Sequence, residues 1–347
     1  MKVLVTGSTG LIGSHIVKEL INQKHEAIAL RRGPGGGGER NAEYIIGDVL
    51  SVESLVDASR GCKQIYHAAG KFAYWGYEPD TFIKETEDGM RNVIKAASVN
   101  KIKRVVFTSS SVTIGKSRTP RALTEKSKEL LADDLPTYIK AKISQEQIAF
   151  EEGAKHKTEI VAVCPTVTLG GPDNNLTESN RMIVNYLKDP FKSTWIGGCN
   201  IVHVKDVAKA IVLAGTSGKA GERYLAGSEN LTWQDVHGLI SKLCGIGGPY
   251  VQAYHTSAFL VSAMQEFLSF FTKEAPSSSR QQAKMVGNYY WYNSNKLREL
   301  GYKPMTGEKA MIEALSWLVT STHIPSSLRA SLKLSDQIYK FRKTVAP

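Results

Sequence analysis

The sequence predicts an α/β fold: a doubly wound parallel sheet with a smaller, mostly helical C-terminal lobe. Three observations carry the prediction. An apolar run, Val3-Leu4-Val5, feeds the turn Thr6-Gly7-Ser8-Thr9-Gly10-Leu11-Ile12-Gly13, and an amphipathic run follows to Ile21. That order is strand, tight glycine turn, helix. Strand and helix patterns then alternate as far as Pro165, which implies a parallel sheet covered on both faces with right-handed crossovers. Beyond Pro165 the alternation becomes irregular and helical patterns dominate.

Each element has its own signal. Gly7 can take the backbone angles of a sharp turn, Gly10 lets a pyrophosphate approach the backbone, and Gly13 lets the helix pack close to the strand. Residues 26–30 form a second buried strand ending in Arg31-Arg32. The glycine-rich stretch 33–38 is a flexible loop and no phosphate cradle, because no strand feeds it and no apolar helix follows. Residues 44–46 form a third strand closed by Gly47-Asp48, and Ser51 caps a short helix to Ala58. Residues 64–67 are a fourth strand ending in Ala68-Ala69-Gly70, and 80–99 have helical periodicity. Residues 104–107 are a fifth strand, 136–152 a helix and 159–163 a sixth strand. Further on, 182–187 is a short helix, 201–202 a short strand, and 204–214 a helix that returns to the main domain. Thr232 caps a helix to Cys244, 258–271 is strongly apolar, and 294–300 and 308–318 are the last firm helices. The resulting division is a dinucleotide-binding domain of 1–170 with 199–228 returning to it, a substrate lobe of 171–198 and 229–322, and a basic tail of 323–347.

Hydrophobic residues make up 42% of the 347 and charged residues 22%, ordinary for a globular enzyme and unlike a disordered chain. Met1-Lys2 leads directly into a strand pattern, leaving no room for a signal peptide, and no apolar stretch is long enough to span a bilayer. Cys62, Cys164, Cys199 and Cys244 show neither metal nor disulfide spacing, and no His/Glu/Asp cluster has metal spacing. A reducing, cytoplasmic setting is expected. The formal net charge is +11. Its basic residues are scattered, and no nucleic-acid module is recognisable, so a solvated basic surface without a nucleic-acid partner is expected.

Ligands of such sheets bind beyond the strand C-termini. The phosphates of a dinucleotide would sit on the free N–H groups at the first helix N-terminus. After the second strand stands Arg31, assisted by Arg32, where an acidic residue would suit NAD. Arginine suits the 2′-phosphate of NADP(H), by a charge-assisted fork. Asp48 and Val49, Ala68-Ala69-Gly70, and Thr108-Ser109 follow the third, fourth and fifth strands and complete the strand-end part of the candidate cofactor site. Tyr138 and Lys142 lie four apart, on one helix face. A nearby ammonium lowers the pKa of a tyrosine and makes it a usable general acid or base. The same spacing recurs at Tyr292/Lys296 and Tyr339/Lys343, but only the first pair lies on the helix after the fifth-strand serines. His67 reads as a satisfied core histidine and His203 as a loop-holding one. The serines show no Ser/His/Asp arrangement, which disfavours a hydrolase.

On these motifs the sequence resembles the extended short-chain dehydrogenase/reductases. The family's Thr-Gly-x-x-Gly-x-x-Gly loop matches residues 6–13, its Tyr-x-x-x-Lys pair matches Tyr138 and Lys142, and its serine matches Ser110, with Ser111 one register away. The family's proline turn near the nicotinamide is similar to Cys164-Pro165-Thr166-Val167, and its His-Val-x-Asp-Val-Ala segment matches 203–208. Within the family, Ala68-Ala69-Gly70 followed by Phe72, Tyr74 and Trp75, together with Gly221-Glu222-Arg223-Tyr224, are most similar to the dihydroflavonol-reductase-like and hopanoid-associated epimerase-like bacterial members. Cys164 stands where many members carry arginine before the proline, which weakens the expectation of sugar-nucleotide phosphate binding.

The resemblance implies an NADP(H)-dependent carbonyl reductase or alcohol dehydrogenase with Ser110, Tyr138 and Lys142 as its proton relay and Pro165, Thr166 and Val167 beside the cofactor. Lys71, Phe72, Tyr74, Trp75 and Ser111 are the candidate substrate contacts for a small, apolar or polycyclic molecule. The runner-up is a sugar-nucleotide epimerase or dehydratase with retained NAD(H), which Arg31 disfavours. A non-catalytic NADP-sensing protein is the third, disfavoured by the retained proton relay. The apolar stretch 258–271 reads either as a lobe helix packed on the core or as a wall over a greasy substrate that rests on a membrane surface. A homodimer is left open.

Overall fold

A computed structural model describes the chain except for residues 35–38, 40, 71, 128–134, 274 and 346–347, and the side chains of 343–345. Most of the glycine-rich loop of 33–38, the candidate substrate residue Lys71 and the side chain of Lys343 thus lie outside the described residues. The first part of the chain runs β1 (Lys2–Thr6), α1 (Leu11–Asn22), β2 (Glu26–Arg31), β3 (Glu43–Ile46), α2 (Val52–Ala58), β4 (Gln64–His67), α3 (Pro79–Val99), β5 (Arg104–Thr108), α4 (Thr137–Lys155) and β6 (Glu159–Pro165). Next come β7 (Val167–Leu169), α5 (Glu178–Lys188), β8 (Ser193–Trp195), β9 (Gly198–His203), α6 (Val204–Ser217) and β10 (Arg223–Ala226). The remainder is β11 (Glu229–Thr232), α7 (Trp233–Cys244), β12 (Val251–Ala253), α8 (His255–Thr272), α9 (Arg280–Ala283), β13 (Tyr289–Tyr290), α10 (Asn295–Arg298), α11 (Gly307–Leu318), α12 (Ser326–Ser331) and α13 (Asp336–Val345).

Seven parallel strands form the main sheet in the order β10-β6-β5-β4-β1-β2-β3. Runs such as Val3-Leu4-Val5 and Val105-Val106-Phe107 are apolar on both faces because both are covered. Ile16, Val17 and Leu20 of α1 and Val207 and Ile211 of α6 pack on one face; Leu55 of α2, Met90 and Ile94 of α3 and Ile148 of α4 pack on the other. The strand order reverses between β1 and β4, and the crevice opens there at the strand C-termini. The lobe holds a smaller sheet, β11-β9-β13 with β7 on β9, and a core that includes Ile183, Ile201, Ile240 and Leu315.

The structure departs from the sequence reading at four places. A seventh strand, β10, extends the main sheet beside β6; its four residues are too few for an alternation signal. The short strand expected at 201–202 is the centre of the lobe sheet, while α6 and β10 join the main layer. The basic tail of 323–347 packs into the lobe over its described residues: Ile324, Leu332 and Ile338 are buried in the lobe core. The apolar stretch 258–271 is a helix but is not packed by its apolar side. Ser262, Glu266 and Ser269 are its buried residues, whereas Leu260, Met264, Phe267, Phe270 and Phe271 are exposed.

Candidate active site

The glycine turn builds the first wall of the crevice. Gly7 sits at φ +69°, and a Cβ there would lie 2.5 Å from the Ala69 nitrogen; a Cβ on Gly13 would lie 2.0 Å from the Gly7 carbonyl oxygen. Both positions therefore need glycine. Gly10 is the N-cap of α1 and offers no side-chain cap, so the first-turn N–H groups beyond it, at Leu11, Ile12 and Gly13, are left for an external acceptor. Ser8 donates its hydroxyl to the Leu30 carbonyl at 2.7 Å and ties the turn to the end of β2. There the Arg31 guanidinium lies over the Tyr44 ring at 4.7 Å. Arg31 Nε and Thr108 Oγ1 are buried without a hydrogen-bond partner among the described residues. An uncapped helix start, an open Gly10 and an unsatisfied arginine nitrogen fit the phosphates of a dinucleotide. Arg32 beside it is exposed.

Other strand-end residues have structural work. Asp48 accepts from the Leu50 N–H at 2.9 Å and holds its own turn, and the Val49 carbonyl accepts from Asn92. Ala68 donates to the Thr6 carbonyl, and Thr6 Oγ1 meets His67 Nδ1 at 2.7 Å. Pro165 ends β6, Thr166 gives its hydroxyl to Asn200 at 2.9 Å, and Val167 opens β7. The side chains of Asp48 and Thr166 are thus engaged within the fold.

Tyr138 and Lys142 project from α4 into the end of the crevice, both buried. Lys142 Nζ donates to the Thr108 carbonyl at 3.2 Å and to Gln145 Oε1 at 3.0 Å. A Cβ on Gly70 would lie 3.6 Å from that nitrogen. Burial pushes the Lys142 ammonium down to about 8, against the pull of Cys164 and Glu146. The Tyr138 phenol is pushed up to about 12 by burial, with a hydrogen bond from Ser110 acting in the opposite sense. The expected lowering by Lys142 does not operate here, because the ammonium is turned to Thr108 and Gln145. Phe72 and Tyr74 pack on the Tyr138 ring with centroids 4.8 and 5.5 Å away. Tyr74 belongs to that buried cluster, while Phe72 and Trp75 are exposed at its edge.

The three serines separate. Ser110, preceding a 3₁₀ turn (Ser111–Ile114), turns to Tyr138. Ser109 gives its hydroxyl to Glu146 at 2.6 Å, and Ser111 is hydrogen-bonded to Tyr292. Of the two remaining Tyr/Lys repeats, Tyr292 donates to the Gly115 carbonyl at 2.9 Å while Lys296 binds Glu222 and the Arg223 carbonyl, so they form no pair.

Sequence reasoning missed two residues here, Gln145 and Glu146. Gln145 Nε2 lies 3.5 Å from His67 Nε2, so the chain Lys142–Gln145–His67–Thr6 is continuous and makes His67 the Nδ1–H tautomer. Glu146 accepts from Ser109, from Thr113 at 3.0 Å and from Arg223 at 3.0 Å. Helical spacing from Lys142 was the available signal. Glu146→Ala would leave Arg223 and two hydroxyls without their acceptor beneath the turn that carries Ser110. A loss of about 3–5 kcal/mol is expected by urea denaturation; a loss under ~1 kcal/mol would show that the network is idle.

A doubly wound sheet with a glycine-cradled helix start at its switch point defines a dinucleotide-binding protein of the Rossmann type. The chain belongs to the NAD dependent epimerase/dehydratase family, whose sequence model matches residues 3–227. Within it the chain is an extended short-chain dehydrogenase/reductase. It is 28% identical over 340 residues to cinnamoyl-CoA reductase 1 of Oryza sativa subsp. japonica, covering 93% of this chain and 92% of that protein. Identity to dihydroflavonol 4-reductase of Zea mays is 25% over 267 residues, covering 70% and 73%. The solved structure of gox2253 superposes with a TM-score of 0.79 at 26% identity, covering 93% of this chain and 99% of that one.

Proposed function

We propose that the protein is an NADP(H)-dependent oxidoreductase that reduces a carbonyl, or oxidises the matching alcohol, of a small apolar or polycyclic substrate. The observation that carries this reading is Tyr138 hydrogen-bonded to Ser110, with Lys142 one turn on, at the end of the crevice that Arg31 borders. Similarity to a cinnamoyl-CoA reductase and a dihydroflavonol 4-reductase supports reduction over epimerisation. The α1 N-terminus and Gly10 would hold the pyrophosphate, Arg31 the 2′-phosphate and Lys142 the nicotinamide ribose. The bound cofactor supplies the hydride equivalent.

The chain supplies the proton and its path. At neutral pH a phenol raised to about 12 is protonated, so Tyr138 serves as donor to the substrate oxygen. Ser110 holds that oxygen by its hydroxyl. The phenolate left behind would draw the Lys142 ammonium away from Gln145, be stabilised by it and be reprotonated from it, a transfer that a lysine at about 8 makes accessible. Phe72 and Tyr74 keep water from the phenol and offer an apolar wall to the substrate.

NADPH is expected to bind more tightly than NADH by roughly 10–100-fold, the worth of one charge-assisted fork. Arg31→Asp is expected to erase or reverse the preference. Titration of each cofactor against parent and variant tests this; equal affinities in the parent would refute it.

A further inference from the structure

Helix α8 is inside out for a protein surrounded by water. Its seat on the lobe is polar. Ser262 shares a hydrogen bond with Ser278 at 2.7 Å, Gln265 accepts from Ser277 and from the Ser278 N–H at 2.8 Å each, and Glu266 accepts from the Arg280 N–H at 2.7 Å. Between its polar ends, His255 to Ser257 and Thr272, the outward face is apolar and open: Phe259, Leu260, Val261, Met264, Phe267, Leu268 and Phe271, with Phe270 at 81% exposure. Single exposed apolar residues are ordinary, but a contiguous ridge of them marks a binding surface.

Charge narrows the occupant. The only acidic residue of the helix, Glu266, is turned inward and paired with Arg280. The open face carries no charge, and Lys273, exposed, stands at its C-terminal rim within a chain of net charge +11. Tyr254 lies exposed at the other end, and a cavity of about 280 Å³ lined by Trp75, Glu266, Ser269, Phe270, Lys273 and Ala275 lies between the C-terminal half of the ridge and Trp75. Such a rim, aromatic and basic around an apolar ridge, suits headgroups around acyl chains. Charge also argues against a second copy, which would bring a like net charge of +11 to the same face. Among the described residues no helix is long and apolar enough to cross a membrane.

We propose that α8 is a membrane-surface anchor that lies in the plane of an anionic bilayer, inserting Phe267, Phe270 and Phe271 among the acyl chains with Lys273 at the headgroups. The test is flotation of the full chain with vesicles of phosphatidylcholine, with and without phosphatidylglycerol, in the absence of cofactor. The chain is expected to float with mixed vesicles, less with neutral ones. Replacing Phe267, Phe270 and Phe271 together by Ser should lower the bound fraction roughly tenfold or more at an unchanged Tm. Phe270→Asp alone, at the most exposed position, should also lower it and keeps the test valid if the triple variant folds poorly. A parent chain that stays at the bottom with both vesicles overturns the anchor. So does flotation unaffected by either variant. A dimer that the variants convert to monomer assigns the ridge to a second copy instead. Because no turnover is read, this outcome is independent of the reductase reading.

Discussion

Tyr138→Phe is expected to lower turnover by about 10²–10⁴-fold while cofactor affinity stays near that of the parent. The substitution removes one hydroxyl and leaves the ring, so the contacts with Phe72 and Tyr74 that shape the pocket wall persist. What would be lost, on the proposed reading, is the phenol proton that is transferred to the substrate oxygen. Ser110 cannot replace it, because a serine hydroxyl is a far weaker acid and Ser110 hangs on a turn fixed by Thr113. The matched control is Tyr339→Phe, at an exposed position. Tyr292 is unsuitable, although it shares the Tyr-x-x-x-Lys pattern: it is buried, donates to Gly115 and touches Ser111. Steady-state reduction of a panel of aromatic carbonyl compounds, with NADPH titrated separately, reads both quantities. Near-parental turnover in the variant would remove Tyr138 from the reaction. A matching loss of NADPH affinity would make it a binding residue.

The main sheet was legible because a buried parallel strand is an apolar run closed by glycine or a polar strand end, and β1, β2, β4, β5 and β6 all have that form. β10 escaped because its neighbours, not its own pattern, recruit it. Gln145 and Glu146 were passed over for a related reason, although their helical spacing from Lys142 pointed to them. Their partners His67, Ser109 and Arg223 are distant in sequence, and a polar residue on a helix reads as exposed until the packing shows otherwise. Helix α8 shows the opposite failure. Hydrophobic periodicity locates a helix and its apolar stripe, but it does not say whether protein or something else covers that stripe. The pairing of Glu266 with Arg280, absent from any local pattern, is what turns the polar side inward.

Acid is expected to unfold the protein well above the pH at which ordinary carboxylates titrate. Burial pushes His67, His203 and His237 down to about 3 from the ordinary 6.5. The bonding explains why each resists a proton. His67 Nε2 faces the Gln145 amide, His203 Nδ1 accepts the Lys205 N–H as the N-cap of α6, and His237 is enclosed by Tyr186 and Trp195. The sign is set by linkage. In the unfolded chain these imidazoles take up protons as pH falls through 6.5, while the folded chain keeps them neutral to about 3. Stability is therefore full above 6.5 and lost between 6.5 and 3. Each contributes about 1.4 kcal/mol per pH unit once the unfolded form is fully protonated, so together about 4 kcal/mol per unit. A domain stable by about 5–15 kcal/mol would be exhausted within roughly two to four units below 6.5. Glu178 and Asp206, raised by burial, oppose this only near their own titration range. Urea unfolding between pH 7.5 and about 4.5 should give a nearly flat upper limb, then a fall that steepens below 6 with an uptake of about three protons from these imidazoles, to which His15, also lowered by burial, adds. Replacing His237 by Gln should remove one proton from the uptake at pH 5. A stability that stays level from pH 7 to 5 would mean that these imidazoles are reached by water or charge readily in the folded chain.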